Sequence, residues 1–139
     1  MNISATVKNT RENHQAVVGT NGNETRINIQ RKTRGRGSGV NGGELLLLSL
    51  ATCYCNDIFR EAESLGIAVD ELEVSVDGKF EGRGEPAKNL CFDVRISADA
   101  PDDKISALLQ LTDSVAEIQN TLRIAVPVSL RHTEIVRPS

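Results

Sequence analysis

The order of elements along the sequence predicts an α+β fold, with helices packed on mainly antiparallel sheet. Three observations carry that reading. Weak period-two alternation opens the chain, an unbroken apolar stretch of helical length occupies its middle, and two strictly alternating runs precede a second helical repeat. With 139 residues, 39% hydrophobic and 25% charged, the chain reads as one globular domain over residues 1–139, able to bury about two thirds of its unfolded surface.

Ile3, Ala5 and Val7, then Gln15 to Val18, then Thr25, Ile27 and Ile29 predict three short strands, with Asn9-Thr10 and Asn21-Gly22-Asn23 as turns. Arg31 to Gly43 holds five Gly without periodicity, so it is expected to be a flexible loop carrying Arg31, Lys32, Arg34 and Arg36. A helix follows from about Gly43 to Leu65, with Glu44 in the first turn and Gly66 as its stop. Its first half, from Leu45 to Cys55, shows no polar stripe, and a helix apolar all round is expected to be buried all round. One small subunit rarely surrounds a helix, so a dimer covering it from both sides is the economical solution. Glu71–Phe80 and Asn89–Ala98 alternate strictly and predict a hairpin joined by Gly82 to Lys88. Asp102 to about Ala125 repeats apolar residues at helical spacing, with a break expected near Thr112 to Ser114, and Val126–Val136 reads as a closing strand.

Charge and composition exclude several functions. Net charge is −3, aromatics are 3% and Trp is absent, which argues against nucleic-acid binding and against anionic membranes. The charge is uneven: residues 1–40 hold seven Lys/Arg against two Glu, a balance of +5, which leaves −8 on the remainder of the total −3. Contact between the basic and acidic parts, within a subunit or across a dimer, competes with a simple solvated surface. Three cysteines, no secretory leader pattern and no apolar run of spanning length predict a soluble, cytoplasmic protein without disulfides.

Cys53 and Cys55 alone lie where chemistry is a question. Two residues apart on a helix, they point about 200° from one another and cannot share a bond or a metal ion. His14 and His132 supply no zinc-ligand spacing, so neither metal nor cofactor is expected. A reactive Cys53 needs a cation near its thiolate, whereas Asp57, one turn on, would raise its pKa. Cys91, in mid-strand, is read as inert.

Glu44-Leu-Leu-Leu-Leu-Ser-Leu-Ala-Thr-Cys53, after a Gly-rich loop and before Asp57, resembles the central-helix motif of the OsmC/Ohr superfamily, the osmotically inducible protein C and organic hydroperoxide resistance proteins. Asn120-Thr121-Leu122 and Val126-Pro127-Val128 are similar to its second-helix and final-strand patterns. The resemblance spans nearly the whole chain. It implies antiparallel sheets around a buried central helix in an intertwined homodimer, with an oxidative-stress role. It also implies a site around Cys53, the candidate peroxidatic thiol that a hydroperoxide oxidises to a sulfenic acid before a second cysteine captures it. An Arg and a Glu from N-terminal loops would help hold the thiolate; Arg34 and Arg36, with Arg31 beside them, and Glu44 are the candidates. Asp57, Leu50 and Tyr54 are expected to line the pocket.

The second-cysteine position reads Ala116-Glu117-Ile118-Gln119, so its Cys and Pro are both missing. Aligned back from Cys53, the hydroperoxide-resistance glutamate falls on Gly43, and Glu44 fits the less characterised OsmC-like branch. Two functions remain open. One is a single-cysteine organic hydroperoxide reductase with an outside reductant. The other is a non-catalytic dimer of this fold that binds a small apolar or acidic ligand in the interface pocket.

Overall fold

The computed structural model describes residues 1–138. The chain divides into two compact units, Met1–Leu48 and Ser49–Ser139.

In the first unit, strands β1 (Ile3–Asn9), β2 (His14–Thr20) and β3 (Asn23–Ile27) form an antiparallel sheet in that order. The register pairs Ala5 with Val18 and Val7 with Ala16, and Ala16 in turn with Ile27. Asn21 and Gly22 take φ of 50° and 83°, the left-handed pair that a two-residue hairpin turn needs to match strand twist. The expected third strand stops short of Ile29, whose N–H turns back to the Ile27 carbonyl at 3.1 Å. The Gly-rich segment is more ordered than its composition suggests: Arg31 bridges to Ser38, and Gly39 N–H donates to the Gln30 carbonyl at 2.7 Å.

Helix α1 (Gly42–Ser64) begins with a reciprocal cap. The Asn41 side chain accepts the Glu44 N–H at 2.8 Å and the Glu44 carboxylate accepts the Asn41 N–H at 3.1 Å, which satisfies two otherwise orphaned donors. At its other end Gly66 takes φ of +66°, and Ile67 N–H closes on the Ala62 carbonyl at 2.9 Å, the six-to-one bond that a left-handed residue makes possible.

One chain alone covers this helix on one side only, and the expected burial on every side is assigned to a dimer. Leu50, Tyr54, Asp57, Ile58 and Ala62 form a buried stripe at helical spacing, but Leu48 is 59% exposed and Leu45 also reaches solvent. A single subunit has one surface for a helix to lie on, and the remaining apolar faces stay open.

In the second unit, β4 (Ala68–Lys79) and β5 (Lys88–Asp99) pair antiparallel with Val74 opposite Val94. Leu72, Val74 and Val76 with Phe92, Val94 and Ile96 face inward alternately, as the pattern required. Gly78 sits in a register irregularity where a Cβ would collide with the Leu90 side chain. Tyr54, Ile58, Ala62, Ile67 and Leu108 form the core against this sheet. Tyr54 stacks obliquely on Phe92 with centroids 5.1 Å apart, and its hydroxyl donates to the Leu109 carbonyl at 2.8 Å.

The second helical stretch breaks at Ala116, giving α2 (Asp102–Val115) and α3 (Glu117–Arg123), not at Thr112 to Ser114 as expected. Thr112 and Ser114 return their hydroxyls to the Leu108 and Leu111 carbonyls at 2.8 and 2.6 Å, which lets the helix continue through them. The expected closing strand over Val126–Val136 is absent: the described residues after Arg123 form no strand, and Val128, Leu130 and Ile135 are 98, 85 and 90% exposed. A strand needs a neighbour to pair with, and none flanks this segment in one chain.

Candidate functional site

Helical spacing puts Cys53 and Asp57 on one face of α1, one turn apart. The break at Ala116 then brings the start of α3 to the same place. Cys53 Sγ lies 3.7 Å from Asp57 Oδ2 and 3.9 Å from Glu117 Oε2, so the thiol faces two carboxylates. The Ile118 N–H donates to the sulfur and is the one contact favouring its ionised form. Asp57 is 4% exposed and pairs with Arg60 at 3.0 Å.

Burial first, then the Asp57 and Glu117 charges, push the Cys53 thiol above the ordinary cysteine value, with Ile118 opposing. The Asp57 carboxyl is likewise raised, by burial and next by Glu117, against the pull of Arg60. At neutral pH the sulfur therefore carries its proton. The expected direction of the Asp57 effect matches the geometry; Glu117 is the addition that sequence reasoning missed. Its only signal was indirect, since the stretch read as the vacant second-cysteine position is the one that meets Cys53.

Cys53, Asp57 and Glu117 offer three ligand atoms within 4.8 Å of one another. The sequence showed no zinc-ligand spacing because two of these residues stand 64 positions apart. Cys55 sits on another face of α1, beside Ala51 and Val74, and Cys91 is exposed with its S–H directed at Asp77 Oδ1, 3.4 Å away. All three cysteines are free. Ala116 is fully buried and contributes no sulfur.

The other sequence candidates divide between the units. Leu50 lines a cavity in the second unit, and Tyr54 is a core residue whose phenol is pushed up to about 12, by burial and then by Asp113. In the first unit Glu44 is held in the α1 cap, Arg36 Nε donates to Asn9 Oδ1 at 2.9 Å, and Arg34 lines an open basic groove with Arg31 and Lys32. The second unit thus gathers Cys53 and Asp57 with Glu117, while Glu44, Arg34 and Arg36 belong to the first unit.

An α+β chain with alternating hairpins, a long central helix and a helix-borne cysteine facing a second-helix break defines the class of fold. The model of the OsmC-like protein family matches residues 35–131, and the chain belongs to that family. Among solved structures it is similar to the OsmC-like protein from Mycoplasma pneumoniae, at 16% identity and TM-score 0.63, covering 88% of this chain and 86% of that one. An OsmC-like protein of unknown function from Vibrio cholerae matches at 12% identity and TM-score 0.61, covering 87% and 93%. An OsmC-like hydroperoxide resistance protein from Jannaschia matches at 18% identity and TM-score 0.53, covering 99% and 93%. No curated protein matches. Among the described residues no helix is long and apolar enough to cross a membrane.

Proposed function

We propose that the chain is a single-cysteine organic hydroperoxide reductase in which Cys53 is the reacting thiol and Asp57 handles its proton. The contact of the Cys53 thiol with the buried Asp57 carboxylate carries this reading. The sulfur attacks the terminal peroxide oxygen, the S–O bond forms as the O–O bond breaks, and the leaving alkoxide takes the thiol proton relayed by Asp57. Cys53–SH and ROOH become Cys53–SOH and ROH. Two equivalents of an external low-molecular-weight thiol then return the sulfenic acid to the thiol, releasing a disulfide and water. A carboxylate raised towards working pH suits such a relay. The hydroperoxide-resistance name of the Jannaschia relative agrees with this chemistry. Two carboxylates at the sulfur repel an acidic substrate, which favours a neutral alkyl or aryl hydroperoxide.

Asp57→Asn separates the proton relay from a mere electrostatic brake. Removing the charge lowers the thiol pKa, so iodoacetamide alkylation of Cys53 at pH 8 becomes faster, while hydroperoxide reduction slows by about tenfold or more because the relay is lost. A rise in both rates contradicts the relay. In the unsubstituted protein the raised thiol pKa predicts that alkylation keeps climbing as pH passes about 9, beyond the range of an ordinary cysteine.

The working form is proposed to be a homodimer. Leu48 on α1 and Ile3 and Val7 on β1 in the first unit, and Val128 and Leu130 after α3 in the second, are large apolar side chains at 59, 67, 63, 98 and 85% exposure, and a partner copy would cover them. Light scattering is expected to give twice the 15.1 kDa chain mass; a stable monomer contradicts the dimer. The non-catalytic reading, a dimer binding a small apolar ligand, draws on the same protonated sulfur and requires that Cys53 be dispensable.

A further inference from the structure

Three groups from two elements converge on one point in the second unit: the Cys53 thiol and Asp57 carboxyl of α1 and the Glu117 carboxyl of α3. Their ligand atoms lie within 4.8 Å of one another, with Sγ 3.7 Å from Asp57 Oδ2 and 3.9 Å from Glu117 Oε2. A tetrahedral zinc ion, with Zn–S of about 2.3 Å and Zn–O of about 2.0–2.2 Å, sets its sulfur and oxygen ligands about 3.5–3.7 Å apart. The two sulfur–oxygen edges therefore need to close by no more than about 0.4 Å, and the solvent-exposed Glu117 side chain is free to rotate by that much.

The surroundings hold these groups as metal ligands are held. Arg60 pairs with Asp57 Oδ1 at 3.0 Å, which leaves Oδ2 turned to the sulfur, and the Ile118 N–H donates to the sulfur itself. Such outer contacts orient first ligands and support a thiolate. Asp57 is buried and fixed in place, whereas Cys53 is partly open and Glu117 fully so, which gives an ion its way in. Charge points the same way. A thiolate and two carboxylates sum to −3, Arg60 returns +1, and the remaining −2 matches a divalent cation. Beyond burial, the largest cause, Glu117 pushes up the Asp57 pKa and both carboxylates push up that of Cys53, a crowding that a cation relieves. One sulfur among the donors selects a thiophilic ion over magnesium and calcium, which take oxygen ligands.

We propose that Cys53, Asp57 and Glu117 form a binding site for a divalent cation of the zinc class, with water as its fourth ligand, and that the bound ion masks the Cys53 thiol. Binding exchanges the thiol proton for the metal and releases that proton to solvent, with no change of oxidation state. The site stands on its geometry and does not depend on the peroxide chemistry. Full-length protein, freed of metal by a chelator and titrated with cobalt(II), is expected to develop a sulfur-to-cobalt charge-transfer band at one ion per chain, which zinc then bleaches. Glu117→Gln, at an exposed position that the fold does not depend on, is expected to weaken cobalt binding by at least about tenfold. Cys53→Ser removes the band. In the unsubstituted protein, saturating zinc is expected to slow iodoacetamide alkylation of Cys53 by at least about tenfold, because the metal holds the electron pair that attacks, while magnesium leaves the rate unchanged. The absence of a charge-transfer band at about millimolar cobalt overturns the proposal. So does a band that survives Cys53→Ser, which would place the ion at the Cys91 and Asp77 pair. Cobalt affinity unchanged by Glu117→Gln, or alkylation indifferent to zinc, overturns it as well.

Discussion

Cys53→Ser is expected to reduce hydroperoxide consumption to the uncatalysed background while leaving the fold intact. The serine hydroxyl is a far weaker nucleophile than the thiol, and no other cysteine can take over. Cys55 lies on another face of α1, and Cys91 directs its S–H at Asp77. Removing one sulfur from a partly exposed position disturbs little packing, so the unfolding midpoint should shift only slightly. Consumption of cumene hydroperoxide followed with purified wild type and variant, with dithiothreitol as reductant, checks this. A variant that keeps most of the rate would move the chemistry away from Cys53 and favour the ligand-binding dimer.

Leu108→Ala is expected to destabilise the second unit by about 2–5 kcal/mol, the range for truncating a leucine in a packed core. Leu108 is fully buried and belongs to the cluster that joins α1 to α2, with Tyr54, Ile58 and Ala62 of α1 in contact with the same core. The cavity left behind cannot collapse easily, because Tyr54 is pinned on one side by its bond to the Leu109 carbonyl and on the other by Phe92. Chemical denaturation gives the number directly. A loss below about 0.5 kcal/mol, the level of an ordinary surface substitution, would mean that this cluster does not hold the unit together.

Elements written in local pattern were legible in the sequence. Alternation in Glu71–Phe80 and Asn89–Ala98 identified the β4–β5 hairpin, and the left-handed Gly66 marked the end of α1 as expected. Asn41 and Glu44 had capping-box spacing, yet Glu44 was read for its charge near the helix dipole and as a site candidate, and the reciprocal bond with Asn41 was overlooked. Two failures have a common physical origin in what lies outside the local window. Glu117 reaches Cys53 only because the chain bends at Ala116, and no helical or strand period links positions so far apart. Val126–Val136 alternates like a strand, but pairing depends on a neighbour and not on pattern. The exposure of Leu45 and Leu48 in one chain is what the expectation of a covering dimer requires. The family resemblance, carried by the Glu44–Cys53 motif and the order of elements, reached the fold correctly.

The most direct test of the account is the intact mass and peptide map of the protein after one equivalent of cumene hydroperoxide, with dimedone present to trap sulfenic acid. The account predicts a single adduct per chain, located on Cys53, and no intrachain disulfide. An unlabelled Cys53, or a bond between Cys53 and either other cysteine, would contradict it.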